Sequence, residues 1–168
     1  MVEKLFRILL VVGMVFMSSC SQYMQSPRRD YCKIMIGDSM STAREAFTTY
    51  NNHLVEAEVF KDEENFVVVI ERGGVISGIA VFSPDRQLLY SEGITPIDDR
   101  SITQVFGMSL ENMEGIYGSV HCDIGSGFSI PAYITNKATI VFFQTEDGIV
   151  TRVGSIDIIT NTETLLIA

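Results

Sequence analysis

The sequence predicts an α+β fold in which two diverged units, each a helix followed by a β meander, share one antiparallel sheet with the helices on one face. Three observations lead to this prediction: a repeated glycine-containing segment that opens a helix, a repeated hairpin pattern, and an alternating strand before the first hairpin. The predicted units cover residues 30–92 and 93–168, behind a signal peptide at 1–19 and a tether at 20–29.

The first twenty residues have the layout of a secretory signal. Lys4 and Arg7 give a positive start, the stretch from Ile8 to Met17 is apolar apart from Gly13, and two serines precede Cys20. Even counted from Leu5, the segment is about 13 residues long, short of the ~20 that cross a bilayer as a helix. We therefore expect this segment to be cleaved rather than kept as a membrane span.

The end of this segment resembles the lipobox of bacterial lipoproteins, in which a cysteine after two small residues receives a diacylglyceryl group. The resemblance implies that Cys20 is lipidated and becomes the mature N-terminus. The protein is then expected on the extracytoplasmic side of the cell membrane, held there by lipid on Cys20. An ordinary cleaved signal with a chance cysteine is the alternative.

The charge of the chain limits the class of partner, and its cysteines allow one disulfide. The chain carries 21 acidic and 12 basic residues, a formal net charge of −9, and nucleic-acid binding requires a basic surface. We therefore expect no nucleic-acid partner. In an exported protein Cys32 and Cys122 could form a disulfide, and two buried thiols remain the alternative.

The two predicted helices begin at matching positions. The segment at 36–40 (IGDSM) aligns with the one at 106–110 (FGMSL), and each carries a serine that is a natural N-cap. The expected buried faces are Met40, Ala43, Phe47 and Tyr50 in the first copy and Leu110, Met113, Ile116 and Tyr117 in the second. Gly118 stands where a helix C-terminus favours positive φ.

Two predicted hairpins follow the helices, at a slightly larger offset from one copy to the next. The segment at 67–76 aligns with the one at 141–150, and the turns are Gly73-Gly74 and Asp147-Gly148. Such dipeptides supply positive φ at both central positions of a type I′ turn. Before the first hairpin, residues 54–60 (LVEAEVF) alternate in polarity as a strand does.

The second unit resembles a known family. Residues 107–118 (GMSLENMEGIYG), with strands that end at 147–150 (DGIV), are similar to the SmpA/OmlA and β-lactamase-inhibitor-protein-like superfamily of bacterial lipoproteins. The resemblance covers residues 98–157 well and 30–85 weakly. It implies a binding or scaffolding module and brings no catalytic residues.

Enzymatic chemistry has a weak basis in this sequence. Ser126, His121 and Asp123 could form a Ser-His-Asp set, but they lie within one short loop, and no strand-to-helix nucleophile elbow surrounds Ser126. His121, Cys122 and Asp123 lack a second cluster at zinc spacing. We therefore predict no catalytic residue, no metal site and no cofactor. An exported hydrolase that uses Ser126 and His121 is the alternative.

The loop after the second helix is the predicted binding feature, because it is longer than most connections and mixes glycine with aromatic residues. Its candidate partner contacts are His121, Gly125, Ser126, Gly127, Phe128 and Tyr133. Phe128 and Tyr133 could instead alternate into the core of a strand pair. The expected function is a membrane-anchored, non-enzymatic binding or scaffolding module with a protein or cell-wall partner, and a purely structural envelope protein is a further alternative.

Overall fold

The computed structural model describes residues 33–51, 54–99 and 104–167, in one compact unit that begins at Lys33. The predicted signal peptide, the tether, Cys20 and Cys32 lie outside these residues. The first half contains α1 (Met40–Ala46), β1 (Thr48–Asn51), β2 (Ala57–Asp62), β3 (Asn65–Arg72), β4 (Val75–Phe82) and β5 (Leu88–Glu92). The second half contains α2 (Leu110–Tyr117), β6 (Cys122–Asp123), β7 (Pro131–Ile134), β8 (Thr139–Glu146), β9 (Ile149–Asp157) and β10 (Thr162–Ile167).

The prediction of a single shared sheet with helices on one face is wrong. The described strands form two separate five-stranded antiparallel sheets, ordered β1-β2-β3-β4-β5 and β10-β9-β8-β7-β6, and the fold is mostly β rather than α+β. Each sheet is a meander, so every strand pairs with its neighbours in sequence.

The main core lies between the two sheets. Its members from the first sheet include Val68, Ile70 and Phe82, and those from the second include Ile140 and Phe142. These side chains are buried. The sheets therefore pack face to face, as in a β-sandwich.

Burial on both faces of each central strand explains why one shared sheet fails. In β3 the run from Phe66 to Ile70 is buried at every position, and successive side chains point to opposite faces. Helices on one face of a single sheet would leave the other apolar face in water, at a cost of about 25 cal/mol per Å². The second sheet covers that face instead.

One short helix covers the outer face of each sheet. In α1, Met40 and Ala43 are buried, and the adjacent Phe47 packs its ring on Phe60 with centroids 5.9 Å apart. In α2, Met113 is buried against Tyr133 and other outer-face residues of the second sheet. None of the helices in the described part of the chain is long and apolar enough to cross a membrane.

The helix starts and hairpin turns agree with the sequence predictions. Ser39 and Ser109 are the N-caps, and their hydroxyl oxygens accept from the amides of Thr42 and Asn112. The turn residues Gly73, Gly74, Asp147 and Gly148 all have positive φ, which confirms the predicted turn conformation. Tyr50, placed on the first helix by its spacing, lies in β1 instead because α1 ends at Ala46.

The internal repeat extends to the backbone hydrogen bonds. Gly37 donates to the carbonyl of Ile76 at 2.9 Å, and its counterpart Gly107 donates to the carbonyl of Val150 at 3.0 Å. All five strands of the second half begin at the same offset from their counterparts in the first half. The register shifts after Ile70 in β3 and, at the same repeat position, after Gln144 in β8.

The two halves differ in length at one place. In the first half Phe47 alone separates α1 from β1, whereas in the second half residues 118–121 separate α2 from β6. The offset between the two helices is therefore smaller than the offset between matching strands. This longer connection begins at Gly118, whose φ of 83° confirms the predicted positive value.

Candidate functional site

Asp123 organises the loop that carries the predicted partner contacts, residues 124–130, named here the Phe128 loop. Its Oδ1 accepts hydrogen bonds from the amides of Gly125 at 2.8 Å and Ile130 at 2.9 Å. The carboxyl also receives a bond from the Ser129 side chain, and these bonds hold its pKa below the ordinary 3.8 against the opposing effect of burial, which is the largest single influence. Asp123 thus closes the loop as a charged acceptor.

Apolar side chains fix the base of the loop. Ile124 donates its amide to the carbonyl of Ile130 at 3.0 Å, and both side chains pack against the core between the sheets. At Gly125 an added Cβ would stand 1.9 Å from the Phe128 carbonyl oxygen. Glycine is therefore required there for the close approach of the two backbone segments.

Phe128 projects from this closed loop into solvent. Its side chain is 66% exposed, and Ser126 and Gly127 beside it are also exposed. Phe128 borders a shallow groove of about 280 Å³ against the β8–β9 hairpin, lined by Phe128, Ser129, Gln144, Thr145, Glu146, Thr151 and Arg152. An aromatic anchor beside a polar, charged rim is typical of protein-binding surfaces.

The structure separates the remaining predicted contact residues from this surface. Tyr133 is fully buried and His121 is 7% exposed. Tyr133 donates its hydroxyl to the carbonyl of Gly118 at 2.7 Å, and its ring meets those of His121, Tyr117 and Phe143 edge to face. Burial raises the pKa of Tyr133 to about 12. Tyr133 therefore belongs to the core that supports α2.

The His121 ring is held in place by two backbone groups. Its Nδ1 accepts from the amide of Ile134 at 2.9 Å, and the ring also hydrogen-bonds to the backbone of Thr95. Burial foremost, and then the positive charge of Arg72, lower its pKa to about 4. With Nδ1 already engaged and the other nitrogen directed at Thr95, the ring has no free lone pair with which to activate a serine.

Cys122 is a free thiol in the structure and is fully buried. Burial raises its pKa to about 12, with a further contribution from the charge of Glu56. A thiol that stays protonated is a poor nucleophile and a poor metal ligand. Pairing of Cys122 with Cys32 stays a prediction, because Cys32 lies outside the described residues.

A second concave feature lies where the two halves meet, and we call it the inter-repeat cleft. It has a volume of about 250 Å³ and is lined by Arg72, Ser77, Gly93, Ile94 and Thr95 from the first half and by Tyr117, Gly118, Ser119, Val120 and His121 from the second. One wall is therefore the longer connection that distinguishes the two repeats. Comparing the offset between the two helices with the offset between the two hairpins would have located this wall in the sequence.

Arg72 ties the two walls of the cleft together. Its Nη2 donates to the carbonyl oxygens of Val120 at 2.7 Å and His121 at 3.0 Å. Across the described residues, no carboxylate forms an ion pair with Arg72. The same residues contain no group of three or more His, Cys, Asp or Glu side chains that could hold a metal ion.

Comparison of the chain with protein-family models, with curated proteins and with solved structures finds no match. The resemblance to the SmpA/OmlA and β-lactamase-inhibitor-protein-like superfamily therefore stays a prediction from the sequence.

Proposed function

We propose that this chain is a lipid-anchored, extracytoplasmic binding module without enzymatic activity, and that it docks onto a protein partner by inserting Phe128 into an apolar pocket. The anchor is inferred from the first twenty residues, which end in the lipobox-like segment before Cys20. The observation that carries the docking proposal is the exposure of Phe128 on a loop whose backbone is closed by Asp123.

Rigidity makes Phe128 suitable as an anchor. Ordering a flexible loop at an interface costs free energy, and a loop already fixed avoids that cost. Hydrogen bonds from the amides of Gly125 and Ile130 to Asp123 fix the two ends of the loop. The exposed Phe128 side chain contributes favourable free energy only when another surface covers it, since burying an aromatic side chain removes apolar area from water.

The groove beside Phe128 supplies a polar rim. Arg152 donates to Gln144 across β8 and β9 at 3.4 Å, and Glu146 lies on the same lining. Charges at a rim contribute more to partner selection than to affinity. A partner with a pocket for one phenyl ring and mixed charges around it would fit this surface.

The environment of His121 supports a non-enzymatic role over the hydrolase alternative. A general base must present a free lone pair to the proton that it removes, whereas Nδ1 of His121 is occupied by the Ile134 amide. Ser126 lies exposed on the Phe128 loop, whereas His121 is buried.

Site-specific photocrosslinking tests the docking surface. A photoreactive phenylalanine analogue would replace Phe128 in the full chain, and the cells would be irradiated before the membranes are solubilised. Matched controls would carry the analogue at Ile116 and at Leu165, which are 60% and 43% exposed. We expect one crosslinked protein of defined mass from position 128 alone.

Equal crosslinking at all three positions, or none at position 128, would contradict the proposed docking surface. Retention of the same partner by Phe128→Ser in a pull-down from detergent-solubilised membranes would contradict it too. Turnover in a hydrolase panel that disappears in both Ser126→Ala and His121→Ala would favour the hydrolase instead.

A further inference from the structure

We infer that the inter-repeat cleft binds a carboxylate group, with Arg72 as its charged anchor. This inference goes beyond the proposed docking function and does not depend on Phe128. The ligand is either a small free carboxylic acid or the carboxylate at the end of a peptide chain, since both present the same group.

The cleft carries a positive charge on an otherwise acidic protein. The chain has 21 acidic residues against 12 basic ones, yet within the described part of the chain no acidic residue lines the cleft, and Arg72 is its one charged residue. His121 is neutral there and adds no charge. A small concave site with local positive charge on an acidic protein selects a negatively charged group.

Arg72 retains hydrogen-bond donors for a ligand. A guanidinium has five N–H donors in a planar fork, and the two bonds from Nη2 to Val120 and His121 leave the donors on Nε and Nη1. Those two bonds fix the plane of the guanidinium before a ligand arrives. Nε and Nη1 do not share an edge of the guanidinium, so a carboxylate accepts a single charge-assisted hydrogen bond from one of these two remaining donors.

The lining and the volume of the cleft indicate the size and polarity of the ligand. Thr95 from the first half and Ser119 from the second line the cleft and carry hydroxyl groups, and Ile94 and Val120 add apolar side chains to the lining. The volume of about 250 Å³ lies just below the ~300–1,000 Å³ of typical ligand pockets. The cleft therefore suits a carboxylate with a short apolar group attached, and not a large cofactor.

Charge also favours a carboxylate over a phosphate. Among the residues that the structure describes, Arg72 is the one cation on the cleft lining, and a dianion would be repelled more strongly by the net charge of −9. Glu114 accepts from the amide of Val120 at 3.4 Å, so its negative charge lies next to this lining residue and opposes a second negative charge on the ligand. A monoanion incurs the smaller repulsion.

The position that matches Arg72 in the second half of the chain is not an arginine. The offset between matching strands places Glu146 at the position of Arg72 and Thr151 at the position of Ser77. Glu146 and Thr151 line the groove beside Phe128, where Arg152 is also present. Arg152 is therefore a suitable control, as a second arginine on the lining of a different groove.

A titration followed by NMR tests the inference on the full chain in non-ionic detergent micelles. Sodium acetate would be titrated against sodium chloride at equal ionic strength, and the backbone amide shifts of Ser119 and Val120 would be followed. We expect saturable shifts with acetate only. Loss of the guanidinium in Arg72→Gln should weaken binding about tenfold or more, because hydrogen bonds to charged groups are the strong ones.

Three variants separate binding from folding. Arg152→Gln should bind acetate as the wild type does. Arg72→Lys keeps the charge but not the fork, so its binding should lie between those of the wild type and Arg72→Gln. The amide spectrum of each variant reports whether the fold is intact. If Arg72→Gln unfolds the chain, the comparison of Arg72→Lys with Arg152→Gln decides the question, and equal affinities in those two would overturn the inference.

Two peptide probes identify the source of the carboxylate. Tetra-alanine with a free C-terminus would be compared with the same peptide amidated. Tighter binding of the free peptide than of acetate points to a peptide C-terminus, and binding no tighter than acetate points to a small free acid. Equal binding of the free and amidated peptides, or shifts that are the same with chloride as with acetate, would overturn the inference.

Discussion

His121 accepts a hydrogen bond at Nδ1 from the backbone amide of Ile134, with 2.9 Å between the two nitrogens. The longer connection after α2 is thereby attached to β7, which lies in the second sheet. Protonation of Nδ1 would remove this acceptor and place a charge in a buried site.

The stability of the fold should therefore fall as His121 is protonated. Its pKa in the folded chain is about 4, below the ordinary 6.5, chiefly because of burial. Between these values the unfolded chain binds the proton and the folded chain does not, so stability is complete above about pH 6.5 and decreases down to about pH 4. The expected loss is about 3 kcal/mol.

Urea unfolding at pH 7, 5.5 and 4 measures this loss. His121→Gln can keep an acceptor for the Ile134 amide but does not titrate, so its stability should change less over the same range. The lowered pKa values of Asp123 and Asp157 reduce stability mainly below the ordinary aspartate value of 3.8, and they act equally in the wild type and in His121→Gln. Equal pH dependence in the variant and the wild type would show that His121 does not carry the effect.

Removing the carboxylate of Asp123 should loosen the Phe128 loop. Asp123→Ala deletes the acceptor for the amides of Gly125 and Ile130, and a charged hydrogen-bond acceptor contributes about 1.5–3 kcal/mol. Hydrogen exchange at these two amides should accelerate by about tenfold or more. Asp123→Asn keeps one side-chain oxygen, so its exchange rates should lie between those of the wild type and of Asp123→Ala. Unchanged exchange in Asp123→Ala would mean that the loop is closed without this side chain.

Replacement by alanine should have opposite effects on the stability of the fold at two glycines. An added Cβ at Gly154 would stand 2.1 Å from the ring of Phe142, so Gly154→Ala should destabilise the fold by about 1–3 kcal/mol. Gly115 lies inside α2 with open space around it. Gly115→Ala should therefore stabilise the fold by up to about 1 kcal/mol, because alanine favours the helix.

Thermal unfolding of both glycine variants checks the pair. Phe142→Leu combined with Gly154→Ala should recover part of the lost stability, since the smaller side chain relieves the collision. A Gly154→Ala variant as stable as the wild type would show that the second sheet shifts to accommodate the added methyl group.

Lipidation at Cys20 gives a prediction for the cell. Cys20→Ala removes the thiol that would receive the diacylglyceryl group, so the protein should leave the membrane fraction or accumulate as an unprocessed precursor. Fractionation followed by immunoblotting and mass measurement distinguishes these forms. Membrane retention of a processed Cys20→Ala protein would refute the anchor.

Local features of the fold were predictable from the sequence. Ser39 and Ser109 cap their helices as predicted, and the Gly73-Gly74 and Asp147-Gly148 turns have the expected backbone. These outcomes depend on a few neighbouring residues and on the allowed φ of glycine. The repeat could be recognised for the same reason, because it preserves these local signals.

The arrangement of the sheets was not predicted, although the sequence contained a relevant signal. The unbroken apolar run of β3 indicates a strand buried on both faces, and helices on one side cannot satisfy such a strand. The inter-repeat cleft was missed because Arg72 and residues 118–121 are far apart in the sequence and meet only when the two halves pack. Phe128 was placed in the correct loop, but its exposure depends on how that loop closes.

The constant spacing between matching strands of the two halves implies a tandem duplication. Either half alone would leave the inner apolar face of its sheet in water, so each half serves as the cover of the other. Because the two halves are parts of one chain, matching positions can differ. The connection after α2 is longer than the one after α1, and Arg72 and Glu146 have opposite charges at matching positions.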